Sequence, residues 1–268
     1  MTEARAALTE LKKLADAKTL ARMSRYGIPS GNALGVPVGR MRALARSLRA
    51  KGRDDESRAQ NHRLALELWE LDRPRGVYEA RMLACFVDDP TLVTPAQMDK
   101  WARDFDSWAI CDTACFHLFD RTPHAMKMIA RWAKKRDEYV KRAAFALLAS
   151  IAGHDNSLDD GVLLACLPMI EAAAKDDRNF VKKGVSWALR SFGRRGAELR
   201  AAAIELAARL AESSEPSARW IGKDALRDLG RVKPKRDGKP DATKTAKKSV
   251  KRATTSRNVA RGKVGKRG

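Results

Sequence analysis

Almost every periodic stretch of this 268-residue chain repeats its apolar residues with the period of an α-helix. No stretch alternates apolar and polar residues for long enough to predict a β-strand. Turn and capping residues separate the helical stretches, for example Asp88-Asp89-Pro90 and Glu215-Pro216. The sequence therefore predicts an all-α protein with helices near residues 3–24, 37–51, 57–72, 76–87, 95–104, 107–119, 124–135, 137–152, 160–175, 178–195, 197–212 and 216–229.

From about residue 57 onward the predicted helices form pairs that recur roughly every 40 residues, and each pair has one strongly apolar member. This spacing is typical of helical solenoids, in which neighbouring repeats bury a shared core and leave a concave surface for binding. The repeats share no sharp consensus, so a generic helical bundle is the alternative architecture.

The net charge of +21 is unevenly distributed along the chain. Residues 231–268 contain 15 Lys and Arg against 2 Asp, which leaves 39 basic and 31 acidic residues in 1–230. Both parts are basic, which favours a polyanionic partner, although basic residues can also serve solubility alone. Because 231–268 has no aromatic residues, we expect a disordered tail after a folded domain of residues 1–230. The tail either binds phosphate groups nonspecifically or is a solvated end without a role.

The cysteines and histidines suggest neither a disulfide framework nor a metal site. Cys111 and Cys115 are one helical turn apart, but no second Cys or His pair follows at zinc-ligand spacing. The sequence contains no Gly-rich phosphate loop, no signal-peptide pattern and no window approaching 18 apolar residues. We therefore expect a reduced, cytoplasmic protein with no metal, no cofactor and no membrane partner.

The predicted helix over 178–195 has two faces of different character. The two stripes are offset by two positions, which is about 200° around a helix. The apolar stripe consists of Val181, Val185, Ala188 and Phe192, and the second stripe consists of Lys183, Trp187, Arg190 and Arg194. A face with three cations around a large aromatic side chain is not an ordinary solvated face.

Two further predicted helices carry polar residues of interest. Trp108 and Asp112 are four residues apart and share one face, which Cys115 and Phe119 continue. Arg142 lies away from the apolar residues of its own helix, which are Val140, Ala144, Leu147, Leu148 and Ile151. Each of these residues also has an ordinary explanation. A Trp is most often core, a helical Asp is usually solvated or a cap, and an Arg usually pairs with an acid, here Glu138 one turn earlier.

Together these blocks resemble the bacterial DNA alkylation repair glycosylases built of HEAT-like repeats, the AlkD-like family. The resemblance covers roughly residues 5–230, and Leu68-Trp69 and Glu79-Ala80-Arg81-Met82-Leu83-Ala84 also fit it. It rests mainly on the order and spacing of Trp108-x-x-x-Asp112, Val140-Lys141-Arg142-Ala143-Ala144 and Val181-Lys182-Lys183-x-x-x-Trp187-Ala188-Leu189-Arg190.

The resemblance implies a superhelical solenoid that hydrolyses the N-glycosidic bond of N3- or N7-alkylated purines in double-stranded DNA. It also implies a monomeric, nucleoid-associated enzyme without a cofactor. Asp112 would be the catalytic carboxylate, Trp108 and Trp187 would flank the sugar and backbone of the lesion, and Arg142 would hold a phosphate. Tyr26 lies in the Gly- and Pro-rich segment 25–37, which we expect to be non-helical, and the family places an aromatic near there on the DNA. Packing against the following helices explains this Tyr equally well.

Two functions remain open at this point. The first is a monofunctional DNA glycosylase for base excision, and the second is a noncatalytic HEAT-like scaffold that binds DNA or RNA. Asp112 distinguishes them, because a scaffold that only binds polyanions gains nothing from a carboxylate on a basic concave face.

Overall fold

The computed structural model describes residues 2–52 and 54–231, which belong to one compact unit. Within these residues there are fourteen α-helices, two short 3-10 helices and no β-strand, so the all-α prediction is confirmed. The α-helices are α1 (Glu3–Lys13), α2 (Ala17–Met23), α3 (Val38–Leu48), α4 (Asp55–Glu70), α5 (Tyr78–Val87), α6 (Pro95–Arg103), α7 (Trp108–His117), α8 (Ala125–Trp132), α9 (Glu138–His154), α10 (Asp160–Leu164), α11 (Leu167–Ala173), α12 (Asn179–Phe192), α13 (Ala197–Ala211) and α14 (Pro216–Leu229). The 3-10 helices are Ser24–Tyr26 and Phe119–Arg121.

Two of the predicted helices are each divided in two. The helix predicted over 3–24 ends at Lys13, and Asp16 then caps α2 by accepting a hydrogen bond from the Lys18 backbone N–H. The helix predicted over 160–175 ends at Leu164 and restarts as α11, whose first turn contains Pro168. An Asp side chain that caps a new helix competes with continuation of the old one, and a proline has no N–H for an i to i−4 bond.

Successive helices stack along the chain in the manner of a solenoid. In the series α3, α5, α7, α9, α12 and α14, each helix contacts the next. α5, α9, α12 and α14 each also contact the helix that precedes them, which is α4, α8, α11 and α13 respectively. This arrangement of helical pairs agrees with the predicted repeats rather than with a generic bundle.

Helix α9 lies at the centre of this arrangement. It contacts α7 on one side, α12 on the other and α8 behind, so 12 of its 17 residues are buried. The neighbouring core is aromatic, and Trp69 and Trp101 stack with ring centroids 4.0 Å apart and planes 3° apart. A polar residue on α9 is therefore enclosed by other helices on nearly every side.

The segment between α2 and α3 is held by one buried carboxylate. Glu79 of α5 is fully buried and accepts hydrogen bonds from the backbone N–H groups of Leu34, Gly35 and Val36, at 2.7–3.1 Å. Gly35 has φ +78°, and a Cβ there would lie 2.5 Å from the carbonyl oxygen of Asp16. The segment was predicted to be non-helical over 25–37, but Arg25 and Tyr26 belong to the first 3-10 helix, and the irregular backbone begins at Gly27.

The predicted basic tail over 231–268 lies outside the described residues, except for Arg231. Among the helices that the structure describes, none has both the length and the apolar character needed to cross a bilayer.

Candidate nucleic-acid interface

The centre of the candidate site is an ion pair between α7 and α9. Arg142 donates from Nε to Oδ1 of Asp112 at 2.8 Å and from Nη2 to Oδ2 at 2.7 Å. Its Nη1 donates to the carbonyl oxygen of Phe180, which anchors the guanidinium to the first turn of α12 at 2.7 Å. The side chain of Arg142 is 7% exposed and that of Asp112 is 19% exposed. The carboxylate thus has a fixed orientation and keeps some access to solvent.

Both members of this pair are charged in this geometry. Two N–H groups point at the two oxygens of Asp112, so each oxygen is an acceptor, as in an ionised carboxylate. Burial raises the pKa of the Asp112 carboxyl above its ordinary value, and the charge and hydrogen bonds of Arg142 oppose that rise. Burial lowers the pKa of the Arg142 guanidinium, but the charge and hydrogen bonds of Asp112 outweigh this effect and raise it.

The placement of Arg142 differs from the sequence-based expectation. The sequence places Arg142 away from the apolar residues of its helix, but the neighbouring helices enclose α9 and leave Arg142 only 6% exposed. Glu138 is not its acid partner either, since Glu138 accepts from the Phe180 backbone N–H at 3.0 Å. Of the five N–H groups of Arg142, three are engaged and two remain. Its proposed contact with a phosphate stays a prediction.

A first cavity of about 490 Å³ brings together four of the predicted site residues, Tyr26, Trp108, Arg142 and Lys183. Trp108 Nε1 donates to the backbone oxygen of Tyr26 at 2.7 Å, which joins α7 to the first 3-10 helix. Tyr26 is 66% exposed, so most of its surface stays open to solvent. The sequence did not indicate the other lining residues, which are Arg25, Gly27, Asn179 and Phe180.

Trp187 and Arg194 line a different cavity of about 180 Å³, together with Phe116 and His154. Phe116 is the exposed continuation of the Trp108–Asp112 face, at the i+4 spacing from Asp112. Cys115 and Phe119 were expected there, but both are fully buried, so that expectation is wrong. Strict i, i+4, i+8 counting along α7 would have indicated Phe116.

The cations of the second stripe, Lys183, Arg190 and Arg194, differ in how far they are neutralised. Arg194 forms a bidentate pair with Asp228 of α14, with the shorter distance 2.6 Å, and Arg190 lies 3.6 Å from Asp224 and 3.5 Å from Asp228. The Lys183 ammonium has no carboxylate within 4.0 Å among the described residues and lies 6.0 Å from the Phe180 ring centroid. The stripe seen in the sequence is therefore less positive than its residue types suggest, and Lys183 carries most of its free charge.

A third cavity, the arginine cavity, lies between α3, α5 and the end of α7, with a volume of about 330 Å³. It is lined by Arg42, Ala45, Arg46, Arg49, Phe86, His117 and Arg121. Among the described residues, no carboxylate lies within 4.0 Å of the guanidinium groups of Arg42, Arg46 and Arg49. Arg42 instead donates a hydrogen bond to His117 at 2.8 Å. Burial and the charges of Arg42 and Arg121 lower the pKa of His117 to about 4, so its ring is a neutral acceptor at pH 7. This concentration of positive charge suits a phosphate group.

Comparison with known proteins agrees with this architecture. One solved structure matches over 88% of this chain and 99% of its own, with 16% identity and a TM-score of 0.65. It is described as "a new family of proteins related to the HEAT-like repeat DNA glycosylases with affinity for branched DNA structures". An engineered protein also matches over 87% of this chain and 99% of its own, but with 13% identity and a TM-score of 0.40. No curated protein sequence matches significantly. A family model described as "DNA alkylation repair enzyme" matches residues 7–229, and the chain therefore belongs to the DNA alkylation repair enzyme family.

Proposed function

We propose that this protein is a DNA N-glycosylase that hydrolyses the bond between deoxyribose and an N3- or N7-alkylated purine in duplex DNA. The observation that supports it most is the Asp112 carboxylate, held by Arg142 on a partly exposed face of α7 between Trp108 and Phe116. A protein that bound only phosphates would be weakened by a carboxylate among its cations.

The proposed reaction does not require Asp112 to protonate the leaving base. Alkylation at N3 or N7 gives the purine a positive charge, so it can leave as a neutral base without prior protonation. As the C1′–N bond breaks, its electron pair goes to the base, and an oxocarbenium-like sugar remains. A nearby carboxylate stabilises that cation and accepts a proton from the water that attacks C1′. Arg142 uses about two of the four acceptor sites of the carboxylate, which leaves room for this water.

The surrounding residues would bind the DNA. Trp108 lines the first cavity and Trp187 lines the second. Both would face the lesion's sugar and backbone, where indole–cation contacts are worth roughly 0.5–2 kcal/mol. Lys183 and Tyr26 would contact the strand at the first cavity, and one free N–H of Arg142 would donate to a phosphate. Arg190 and Arg194 would add weaker contacts because Asp224 and Asp228 already pair with them.

The test is a single-turnover assay on a duplex with one N7-methylguanine or N3-methyladenine, followed by detection of abasic sites. Wild type should excise the base, and Asp112→Asn should be slower by roughly 10²-fold or more, the scale of a lost catalytic electrostatic group. Asp177→Asn, which removes an exposed charge just before α12, is the matched control and should keep the wild-type rate. Equal rates for wild type and Asp112→Asn would overturn the proposed role of Asp112.

A noncatalytic DNA-binding scaffold is the second candidate, and the ion pair itself favours it. Arg142 engages both oxygens of Asp112, so a structural salt bridge would account for the carboxylate without any chemistry. The same assay separates the two candidates. A scaffold would bind the methylated duplex and leave every base in place, and a comparison of branched with linear DNA would then show which form it prefers.

A further inference from the structure

One arginine of α5 is buried without a carboxylate to pair with it. Arg81 is 3% exposed, and among the described residues no carboxylate lies within 4.0 Å of its guanidinium. Its Nη1 donates to the carbonyl oxygen of Asp104 at 3.0 Å, and the guanidinium lies 5.5 Å from the centroid of the Trp69 ring. Burial of a charge is costly unless an opposite charge pairs with it. Arg81 is therefore placed to pair with an anion from outside the chain.

Most N–H groups of this guanidinium have no acceptor. Its Nε is enclosed and has no hydrogen-bond partner among the described residues. Its Nη2 has no partner among them either, but it is not enclosed. Arg81 lines a cavity of about 510 Å³, which we call the Arg81 cavity. The two N–H groups of Nη2 are thus free to donate to a group in this cavity.

The other charged residues of the Arg81 cavity give it a positive balance. Arg75 and Arg103 line it, both are exposed, and among the described residues neither has a carboxylate within 4.0 Å. Asp104 also lines it, but its two oxygens accept from Arg73 at 2.7 and 2.8 Å, which neutralises its charge. Asp106 is the remaining carboxylate. Three guanidinium groups against one unneutralised carboxylate favour an anion such as a phosphate group.

The Arg81 cavity adjoins the first cavity along two segments of the chain. Gly27 and Trp108 line the first cavity, and Pro29 and Asp106, each two residues away, line the Arg81 cavity. Two residues of chain span about 7 Å at most. One strand of a DNA duplex has a phosphate for about every 3.4 Å of helix axis. A strand that lies at the first cavity can therefore place a neighbouring phosphate at the Arg81 cavity.

We propose that Arg81, together with Arg75 and Arg103, binds a backbone phosphate of the DNA strand that lies at the first cavity. The inference rests on the proposed function, because that strand would be the one whose lesion lies at Asp112. A phosphodiester brings one negative charge and acceptor oxygens to the free N–H groups of Arg81. The site would hold the strand beside the lesion without contact to the damaged base.

The experiment measures binding of the full-length protein to an undamaged duplex over a range of salt concentrations. The double variant Arg75→Ala/Arg103→Ala changes two exposed side chains, so it should fold. It should weaken binding roughly tenfold and lower the slope of log K against log salt by about 0.9, the value for one phosphate. Arg40→Ala/Lys127→Ala removes the same charge from exposed positions outside the cavity and should have a smaller effect. Equal effects of the two double variants would refute the site.

A second comparison leaves every charge in place. A Cβ at Gly76 would lie 2.7 Å from Nε and Nη2 of Arg81, so Gly76→Ala should displace the guanidinium. Gly31 lines the same cavity, but a Cβ there would meet no atom within 4 Å. Gly76→Ala should therefore weaken binding to the duplex severalfold, whereas Gly31→Ala should bind as wild type does. Wild-type affinity of Gly76→Ala, with its fold checked by circular dichroism, would overturn the role of Arg81. If Gly76→Ala does not fold, the two double variants decide.

Inorganic phosphate separates a DNA site from a site for a free anion. A free-anion site would let inorganic phosphate raise the melting temperature of wild type more than chloride does at equal ionic strength. If Arg75→Ala/Arg103→Ala lost that gain but bound the duplex as wild type does, the assignment to DNA would be overturned. No bond is cleaved in these assays, so failure of glycosylase activity would leave their results intact. Excision by wild type together with unchanged duplex binding by the double variant would overturn only the phosphate site.

Discussion

The most informative single residues are Asp112 and Arg142, which lie 30 positions apart in sequence and share two hydrogen bonds. An ion pair of this type on the surface would contribute little to the stability of the fold. The Arg142 guanidinium is almost fully buried, however, and its removal would leave the Asp112 charge without a partner. The pair therefore fixes the orientation of the carboxylate as well as the contact between α7 and α9. The protonation state of Asp112 should therefore control the rate of base excision.

Acidification should reduce the excision rate through Asp112. Burial raises the pKa of this carboxyl above its ordinary value of about 3.9, and only the ionised form opposes the charge of an oxocarbenium ion. The single-turnover rate should thus fall as the pH drops through a midpoint above the ordinary range of an Asp carboxyl, and it should not change with this group at higher pH. A pH profile of abasic-site formation, corrected for spontaneous loss of the base, measures this dependence of the rate on pH. The same acid limb in Asp112→Asn would assign the titration to another group.

At the scale of elements, the site depends on how neighbouring segments are tied to the helices that carry it. Trp108 donates to a carbonyl of the first 3-10 helix, and the segment that follows is held by Glu79 through three backbone N–H groups. Helix α3 then starts at Val38 and supplies the cations of the arginine cavity. A change far from Asp112 can therefore alter the DNA-facing surface.

Glu79→Gln should destabilise the fold and weaken DNA binding together. The amide NH₂ of glutamine would face backbone N–H groups that need an acceptor, and an unsatisfied buried group costs about 1–3 kcal/mol. Urea unfolding measures the stability, and fluorescence anisotropy with a labelled duplex measures the binding. Glu67→Gln is the control, since Glu67 is exposed on α4. Equal stability of the two variants would show that the carboxylate does not hold the segment.

The arginine cavity should contact a backbone phosphate. Variants of Arg46 and Arg40, which both lie on α3, test this contact. Arg46 lines the cavity without a carboxylate partner among the described residues, whereas Arg40 is exposed and does not line it. Arg46→Ala should weaken binding to undamaged duplex severalfold and lower the slope of log K against log salt by about 0.9, the value for one phosphate. Arg40→Ala removes the same charge and should have a smaller effect on both quantities. Identical effects would indicate a general charge effect instead of a phosphate site.

At the scale of the whole molecule, positive charge is divided between the helical part and the C-terminal segment. Residues 231–268 have 13 more basic than acidic residues, against an excess of 8 over residues 1–230. In the helical part many arginines are paired with carboxylates, so its effective attraction for DNA is smaller than the count suggests. The segment 231–268 should therefore contribute much of the affinity for DNA of any sequence.

Deletion of residues 231–268 should weaken binding to undamaged DNA and flatten its dependence on salt, because fewer phosphates would be neutralised. Single-turnover excision at saturating protein should remain, since every proposed site residue lies before residue 195. Titrations at several salt concentrations, with full-length protein as the reference, measure the first effect. Loss of excision at saturation would mean that the segment forms part of the site.

The sequence by itself determined the features that depend on neighbours along the chain. Helical periodicity predicted the all-α fold, and the two stripes of α12 follow directly from 3.6 residues per turn, as the buried Val181 and Phe192 and the exposed Lys183 confirm. The helix breaks at Asp16 and before Pro168 also have local causes. The apolar pattern continues across both breaks, so each pair of helices was predicted as one continuous helix.

Only the tertiary structure decided which distant residues meet. The pairing of Arg142 with Asp112 rather than Glu138, the neutralisation of Arg194 by Asp228, the arginine cavity and the contact of Phe116 with Trp187 all join different helices. Local spacing is set by backbone geometry, whereas the charge and exposure of a side chain depend on what the neighbouring helix places against it. For that reason the sequence indicated residue types suited to DNA, while packing determined which of them remain free to bind it.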